Sequence, residues 1–446
     1  MSADINENIS SRFELKEDIG TIVEDTCNAV DSGEIMKINM LPSRTWNRLK
    51  VNESYVRMPK IKSFCKCEMN DAARSISCSA GGHRPEKYDD IESGMGSAVA
   101  GLGREADTAF AAKPGREADT AFAAKPGTDA AMGTGIANER DIEGGRQTDT
   151  VMISTEEGKW YDEPAVITYD YGEGDFFNRV IIDAAKGSRL SVIIVSENGK
   201  EMISRENISG EKNDDREHAG NSGSSHISTA VLRVLVNAGQ GSDVRIYMVQ
   251  MLGENSTGLT DIGIAEADDA KAEIVRAELG GNASYTGVLA DLRGVRSYFE
   301  ADTAYSADGG RKIDMNYTAR HEGAKTRSLM NAAGVIGDDS EKVFRGTIDF
   351  CRGCTGAKGD EKEDVLLLGD HLVNKTVPLI LCKEEDVEGN HGASIGELAD
   401  DVLFYMGTRG ISREQAEKLV AKAKLMAVIS KIPSDEVRRK AAGFVG

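Results

Sequence analysis

From Glu156 to Val387 the chain repeats one pattern, a short apolar or alternating run closed by Gly, Asn or Asp. The runs fall at 165–169, 179–182, 190–195, 231–236, 244–249, 272–275, 286–289, 297–299, 313–317, 344–348 and 365–368. Their length, their β-branched content and their turn residues predict strands. No amphipathic stretch of helical length separates consecutive runs, which argues against a βαβ sheet. A sandwich and a right-handed parallel β-helix remain. Strands recurring over so long a stretch without aromatic-rich cores favour the stacked β-helix.

The ends read differently. Ile19, Ile22, Val23 and Val30 predict a helix over 11–31, with Gly33 as its stop. A turn and a short element follow over 41–58, with Trp46 and Tyr55 expected to pack inward. Near the C-terminus, Leu398, Val402, Leu403 and Met406 recur at helical spacing, and Gly410 supplies a left-handed stop. Ser412 and Gln415 form a capping box, with Ile411 placed to staple against Ala416. Ala416, Leu419, Val420, Ala423 and Ala427 then give one apolar face, and Pro433-Ser434 opens a last helix.

Between these parts, 103–126 is a perfect tandem duplicate rich in Gly, Ala and Asp. It can bury too little to offset the entropy of ordering, and reads as a flexible insertion. The polar stretch 206–228 reads as a loop off the core. The expected division is 1–64, an N-terminal helical segment; 65–150, the insertion; 151–395, the β-helix core; and 396–446, a C-terminal helical domain.

Composition narrows the function classes. The chain has 446 residues, 74 acidic against 54 basic, and a formal charge of −20. Such a balance disfavours nucleic acid and anionic membrane surfaces, which need clustered Lys and Arg. Aromatic residues make up only 5%, beside 48 glycines, which suits thin, turn-separated layers. Seven cysteines, odd in number and unevenly spread, do not form a secreted disulfide framework. The first residues carry no basic and apolar leader, and no apolar run is long enough to span a membrane. A cytoplasmic protein with reduced thiols is expected.

Candidate chemistry concentrates in the stretch 376–416. Cys382 and His391 flank an acidic turn, and thiolate and imidazole are donors that iron or zinc selects. Glu385 and Glu388 are weaker ligand candidates, whereas Glu384, Glu385 and Asp386 oppose thiolate formation at Cys382. The plain alternative is a buried thiol and a turn histidine bonded to backbone. Cys351 and Cys354 form a CRGC pair; a zinc ribbon needs a second pair, and a thioredoxin-like motif should open a helix rather than follow a strand. Cys65, Cys67, Cys78 and His83 supply four donors at a spacing that matches no established motif. His321 reads as a hydrogen-bonded strand-end residue. No phosphate-binding GxxxxGK[ST], GxSxG or HExxH occurs, so ATP hydrolysis by the first route is not expected.

Pro378, Cys382, Asp386-Val387, His391-Gly392-Ala393, Gly396, Leu403-Phe404-Tyr405, Arg409-Gly410-Ile411 and Ala416 resemble the C-terminal core of the SufB/SufD family, scaffolds of iron–sulfur cluster assembly in the SUF system. Arg320-His321, Phe344-Arg345-Gly346 and Leu366-Leu367-Leu368 fit the same family in the right order, and Pro42, Arg44 and Trp46 resemble an element near its N-terminus. The resemblance implies a right-handed β-helix with helical ends and a scaffold rather than an enzyme. It places Cys382 at the cysteine typical of SufB and His391 at the histidine known from SufD. It further implies a transient iron–sulfur cluster, a SufC-type ABC ATPase docked on the C-terminal helices, and a homodimer or a SufB/SufD-type heterodimer. Sulfur would come from a cysteine desulfurase system, and clusters would pass to apo-protein recipients. The family has been linked to reduced flavin, but no flavin motif is present. An accessory SufD-like subunit is the alternative. A β-helix enzyme acting on polysaccharide is a further one, disfavoured by the missing leader and the reduced-thiol pattern.

Overall fold

The computed structural model describes residues 34–39, 41, 50–58, 65, 67–78, 141–143, 146–198 and 227–445. The helix expected over 11–31, Trp46, His83, the tandem duplicate and most of the 206–228 loop lie outside them. An antiparallel pair, β1 (Glu34–Ile38) and β2 (Ser54–Met58), comes first. It is followed by β3 (Cys67–Met69), α1 (Asp71–Ile76), β4 (Ser77–Cys78) and β5 (Asp141–Glu143). The coil then runs through β6 (Arg146–Ser154), β7 (Ala165–Asp170), β8 (Asp175–Ala184), β9 (Arg189–Glu197), β10 (Ser228–Ala238), β11 (Asp243–Met251), β12 (Ser256–Glu266) and β13 (Lys271–Glu278). It continues through β14 (Ala283–Leu292), β15 (Tyr298–Ala307), β16 (Lys312–His321), β17 (Arg327–Gly337), β18 (Glu341–Phe350), β19 (Ala357–Leu368), β20 (Val373–Cys382) and β21 (Val387–Gly396). Three helices close the chain: α2 (Asp400–Thr408), α3 (Arg413–Ile429) and α4 (Asp435–Phe444).

From β6 to β20 the even-numbered strands pair in parallel with one another, and from β7 to β21 the odd-numbered ones do, so the chain is a parallel β-helix of about eight turns. Alternate residues face inward, and Val234, Ile246, Ile262, Ile274, Val288 and Ala301 build the interior. One corner repeats a left-handed residue in coil after coil: Gly187, Gly241, Asp269, Arg296, Lys325 and Gly356 all have positive φ. Their N–H groups each donate to a carbonyl of the next coil, as Arg296 does to Ala324 O at 2.9 Å and Lys325 to Thr355 O at 2.8 Å. A stacked ion pair, Arg296 Nη2 to Asp269 Oδ2 at 2.6 Å, supports two of the non-glycine positions. Two residues earlier in these same turns the coils approach so closely that a Cβ on Gly323 would lie 2.2 Å from Gly294 O, so only glycine fits.

The two ends of the coil differ. At its start, β3 and β4 pair antiparallel to β7 and β6, and α1 turns Ala73 and Ile76 into the interior. At its finish, β20 and β21 are the terminal strands of their sheets.

Both outer faces carry cover. The helices α3 and α4 lie on the odd-numbered sheet, packing Leu425, Val428, Ile429 and Val437 against Tyr247, Val249 and Val275. Lys440 Nζ reaches Glu197 Oε1 at 3.1 Å, and Lys431 pairs with Asp302. Ser412 and Gln415 make the expected capping box, and Gly410 takes φ +79 behind α2. The buried face of α3 differs from the expected one: Ala416 is buried with Leu425, Val428 and Ile429, whereas Leu419 is 57% exposed. The expected face ignored the sheet, whose position selects the stripe. Across the coil, Ile38 packs on Phe177, Val231, Leu259 and Tyr285 of the even-numbered sheet. Tyr55, expected to point inward, is exposed because Ile38, Leu41 and Val51 fill the contact instead.

A fully buried ion pair fixes this N-terminal cover. Arg345 Nη1 meets Asp314 Oδ1 at 2.5 Å, and Arg345 Nε donates to Val51 O at 2.5 Å. Asn39 Nδ2 donates to Asp314 O at 3.0 Å, and the Ser54 hydroxyl donates to Asp314 Oδ2. Arg345→Met therefore strands a buried carboxylate, and should cost about 3–5 kcal/mol in denaturant unfolding. Limited proteolysis should then cut within 50–58 faster than in the wild type.

His321 is the second buried determinant. Its Nδ1 lies 2.7 Å from Thr326 Oγ1, its Nε2 lies 2.9 Å from Ser328 Oγ, and its ring lies 4.9 Å from that of Phe350, tilted by 32°. Burial holds its pKa down at about 4, against an ordinary 6.5. Above pH 6.5 the imidazole is neutral whether the chain is folded or not. As the pH falls from 6.5 toward about 4, only the unfolded chain takes up the proton, so stability is lost across that window. His321→Gln should flatten the fall of the unfolding midpoint between those two pH values.

Candidate functional site

Cys382 is the last residue of β20, and His391 lies in the middle of β21. The stretch around His391, read from sequence as the far side of a turn, is therefore strand, and only residues 383–386 turn. In register, Cys382 sits over Phe350, which sits over His321, and His391 sits over Glu361. Both residues are exposed, and among the described residues no further coil covers them. The Cys382 thiol donates to Glu384 O at 3.0 Å.

The acidic turn is organised by the coil beneath it. Glu384 accepts from Gly353 N–H at 2.8 Å and from Glu385 N–H at 3.0 Å, and the Gly353 bond above all holds its carboxyl below the usual range. Glu388 pairs with Lys358 at 2.5 Å, which lowers its carboxyl likewise. Glu385 is exposed. Among the described residues, no three His, Cys, Asp or Glu side chains converge to hold an ion. Cys382 and His391 thus occupy the rim of the last coil without a third donor from the described part of their own chain.

The other candidates lie elsewhere. Cys65 is buried at the opposite end of the coil, where its thiol donates to Asp170 O at 3.1 Å and its amide to Asn178 Oδ1 at 3.2 Å. Cys67 pairs on one sheet with Tyr169 and Cys78 on the other with Met152. Cys351 and Cys354, by contrast, form the turn directly beneath the Cys382 turn, a proximity that their distance in sequence hides.

A buried polar cluster in the interior of these last coils escapes a reading of the sequence alone. Glu363 accepts from Lys342 Nζ at 2.6 Å, Tyr305 OH at 2.6 Å and Thr376 Oγ1 at 2.5 Å. Glu361 is buried beside it, and burial, then Glu363, pushes its carboxyl up to about 7. The signal was present in the strand DEKEDVLLL, where alternate carboxylates must share one face. Charge-rich strands read as solvated, which hides the inward parity of Glu361 and Glu363.

Residues 166–424 match the family described as SUF system FeS cluster assembly, SufBD core domain. Similar proteins include the iron–sulfur cluster assembly protein SufD of Bacillus subtilis, 25% identical over 41% of this chain and 42% of its own length. A chloroplastic SufBD family protein of Arabidopsis thaliana is 25% identical over 44% of this chain and 37% of its own. One from Pyrococcus horikoshii is 28% identical over 37% and 39% respectively. The matched part is thus under half the length of each of these relatives. The family match covers more than half of this chain and takes in the coil from β7 onward, the Cys382 rim and most of α3. The chain belongs to the SufBD family of iron–sulfur cluster assembly proteins.

Proposed function

We propose that this chain is a scaffold, not an enzyme, on which an iron–sulfur cluster is built at the rim of the last coil and then passed on. The observation that carries this reading is the exposed Cys382 thiol at the end of β20, one strand before His391 on β21. A soft sulfur and an imidazole nitrogen suit iron. Carboxylates at Glu385 and Glu388 are weaker donors, and Glu388 must first leave Lys358.

The incomplete donor set is the reason to expect a second subunit. Among the described residues, strands β20 and β21 each have one unpaired edge, and such edges accept a further strand. A second coil docked there would bring its own donors and shut water from the cargo. The partner is a second copy or a SufB/SufD-type mate. The similarity to a SufD favours the accessory role as the second reading, in which the mate supplies most ligands.

Energy for release would come from a SufC-type ATPase. The helix α2 buries no residue, and Phe404 is 76% and Tyr405 58% exposed. Leu419 on α3 is exposed as well, and large apolar side chains left open on these helices are of the kind that anchors a partner. Persulfide from a cysteine desulfurase system and apo-protein recipients complete the scheme.

Anaerobic reconstitution with ferrous iron and sulfide tests the site. The wild type should develop visible cluster absorption, and Cys382→Ser combined with His391→Ala should lose most of it. Unchanged absorption rejects the assignment. In co-purification, a pair of identical chains supports the combined role and a heterodimer the accessory one. Phe404→Asp should weaken ATPase capture about tenfold or more, as removal of an aromatic anchor does.

A further inference from the structure

The corner that carries Cys382 holds two further thiols to which cluster assembly as described gives no task. Cys351 and Cys354 are the first and last residues of a four-residue turn, closed by Cys354 N–H to Cys351 O at 3.4 Å, with Gly353 at φ +98. Such a turn keeps its end Cα atoms within about 7 Å, and a disulfide spans roughly 4.4–6.8 Å. The next coil clamps this turn. Gly353 N–H donates to Glu384 Oε2 at 2.8 Å, Lys383 N–H to Phe350 O at 2.9 Å, and Gly356 N–H to Asp386 O at 2.6 Å.

Because Cys382 pairs with Phe350, it stands one coil above and one residue before Cys351. Adjacent strands lie roughly 4.8 Å apart. The three thiols are graded in access: Cys382 is exposed, Cys351 half-buried, and Cys354 fully buried against the coil's apolar interior. Burial pushes the Cys354 thiol up to about 11, and Cys351, Glu384 and Cys382 are near enough to add to the rise. Burial, then Asp349 and Glu322, also raises Cys351. Thiols held protonated favour the disulfide more than acidic thiols do, which suits a dithiol that donates electrons.

We propose that Cys351 and Cys354 form a reducing dithiol that takes sulfane sulfur from Cys382 and releases it as sulfide. This deepens the scaffold reading and rests on Cys382 as the point where sulfur arrives. A cysteine persulfide or a small-molecule persulfide first transfers its outer sulfur to Cys382, giving Cys382–S–SH and a free donor thiol. The Cys351 thiolate attacks that outer sulfur; the S–S bond at Cys382 breaks, a new one forms at Cys351, and Cys382 leaves as a thiolate that regains a proton. The Cys354 thiolate then attacks Cys351 Sγ, the Cys351–Cys354 disulfide forms, and hydrosulfide departs. The sulfane sulfur gains two electrons and the two thiols lose two. A dithiol reductant of the thioredoxin class would reset the pair. Sulfide is the oxidation level that a cluster incorporates, so the step converts delivered sulfur where it is used.

The test needs no iron. The reduced full-length chain is treated anaerobically with one equivalent of glutathione persulfide, and free sulfide, intact mass and disulfide-linked peptides are read. The wild type should release about one sulfide per chain and show a Cys351–Cys354 linkage. Cys351→Ser and Cys354→Ser should each lower release about tenfold or more, with the Cys354 variant retaining a persulfide on the chain. Cys382→Ser should slow release by a similar factor. Circular dichroism excludes misfolding of the buried Cys354 variant, and the linkage map of the wild type stands without any variant. Sulfide release unchanged in the Cys354 variant, or a wild-type linkage absent or joining other cysteines, overturns the proposal. Loss of the cluster assignment with sulfide release intact rejects only Cys382 and His391 as ligands, and the converse rejects only the dithiol.

Discussion

Parallel, in-register hydrogen bonding between coils governs this molecule, because it sets each residue directly over its counterpart in the coil below. Like then stacks on like: Ile246 lies over Ile274, and Ile262 over Val288. Polar residues meet partners by the same rule, as Asn331 does with Asp302 and Asn237 with Asp183. The rule also allows charge inside. Arg276 and Glu278 are buried together, and the guanidinium adds bonds to Thr260 and Thr286 from strands of the opposite sheet. A lone charge in that interior would be costly, whereas a satisfied cluster is tolerated.

Stacking also explains where chemistry can sit. The inner coils have both strand edges paired, and among the described residues the one fully exposed thiol, Cys382, lies on the last coil. His391 lies there too, and the polar group of Lys342, Glu363, Tyr305 and Thr376 lies just inside them. The rim is thus backed by ionisable groups beneath His391 and by Phe350 beneath Cys382.

Much of the coil was legible in the chain. Each apolar run identified from sequence falls within or overlaps a strand, since inward-facing Val, Ile and Leu leave a period-two trace. Several coil strands, β6 and β20 among them, fall outside those runs, and three others show why. β12, STGLTDIGIAE, and β17, RSLMNAAGVIG, use small residues where the coil is tight. β21, VEGNHGASIG, is open to solvent and so carries no apolar alternation. The left-handed corners at Asp269, Arg296 and Lys325 were invisible because neither residue type nor neighbours announce them. Of the candidate site, Cys382 and His391 could be named from motif resemblance. The closeness of the CRGC turn to Cys382 could not, since it depends on coil length and register, which are properties of the stack.

The unequal ends of the coil limit how it can grow. Where β3 and β4 run against the coil, the strands are only three and two residues long, and α1 plugs the bore behind them. Strands that short offer almost no ladder to a newcomer. Among the described residues, only the other terminus therefore offers long strands for addition. Once two such columns meet end to end, neither has a growing tip, so an architecture that in principle propagates without limit becomes self-terminating, and a fibre is avoided by geometry.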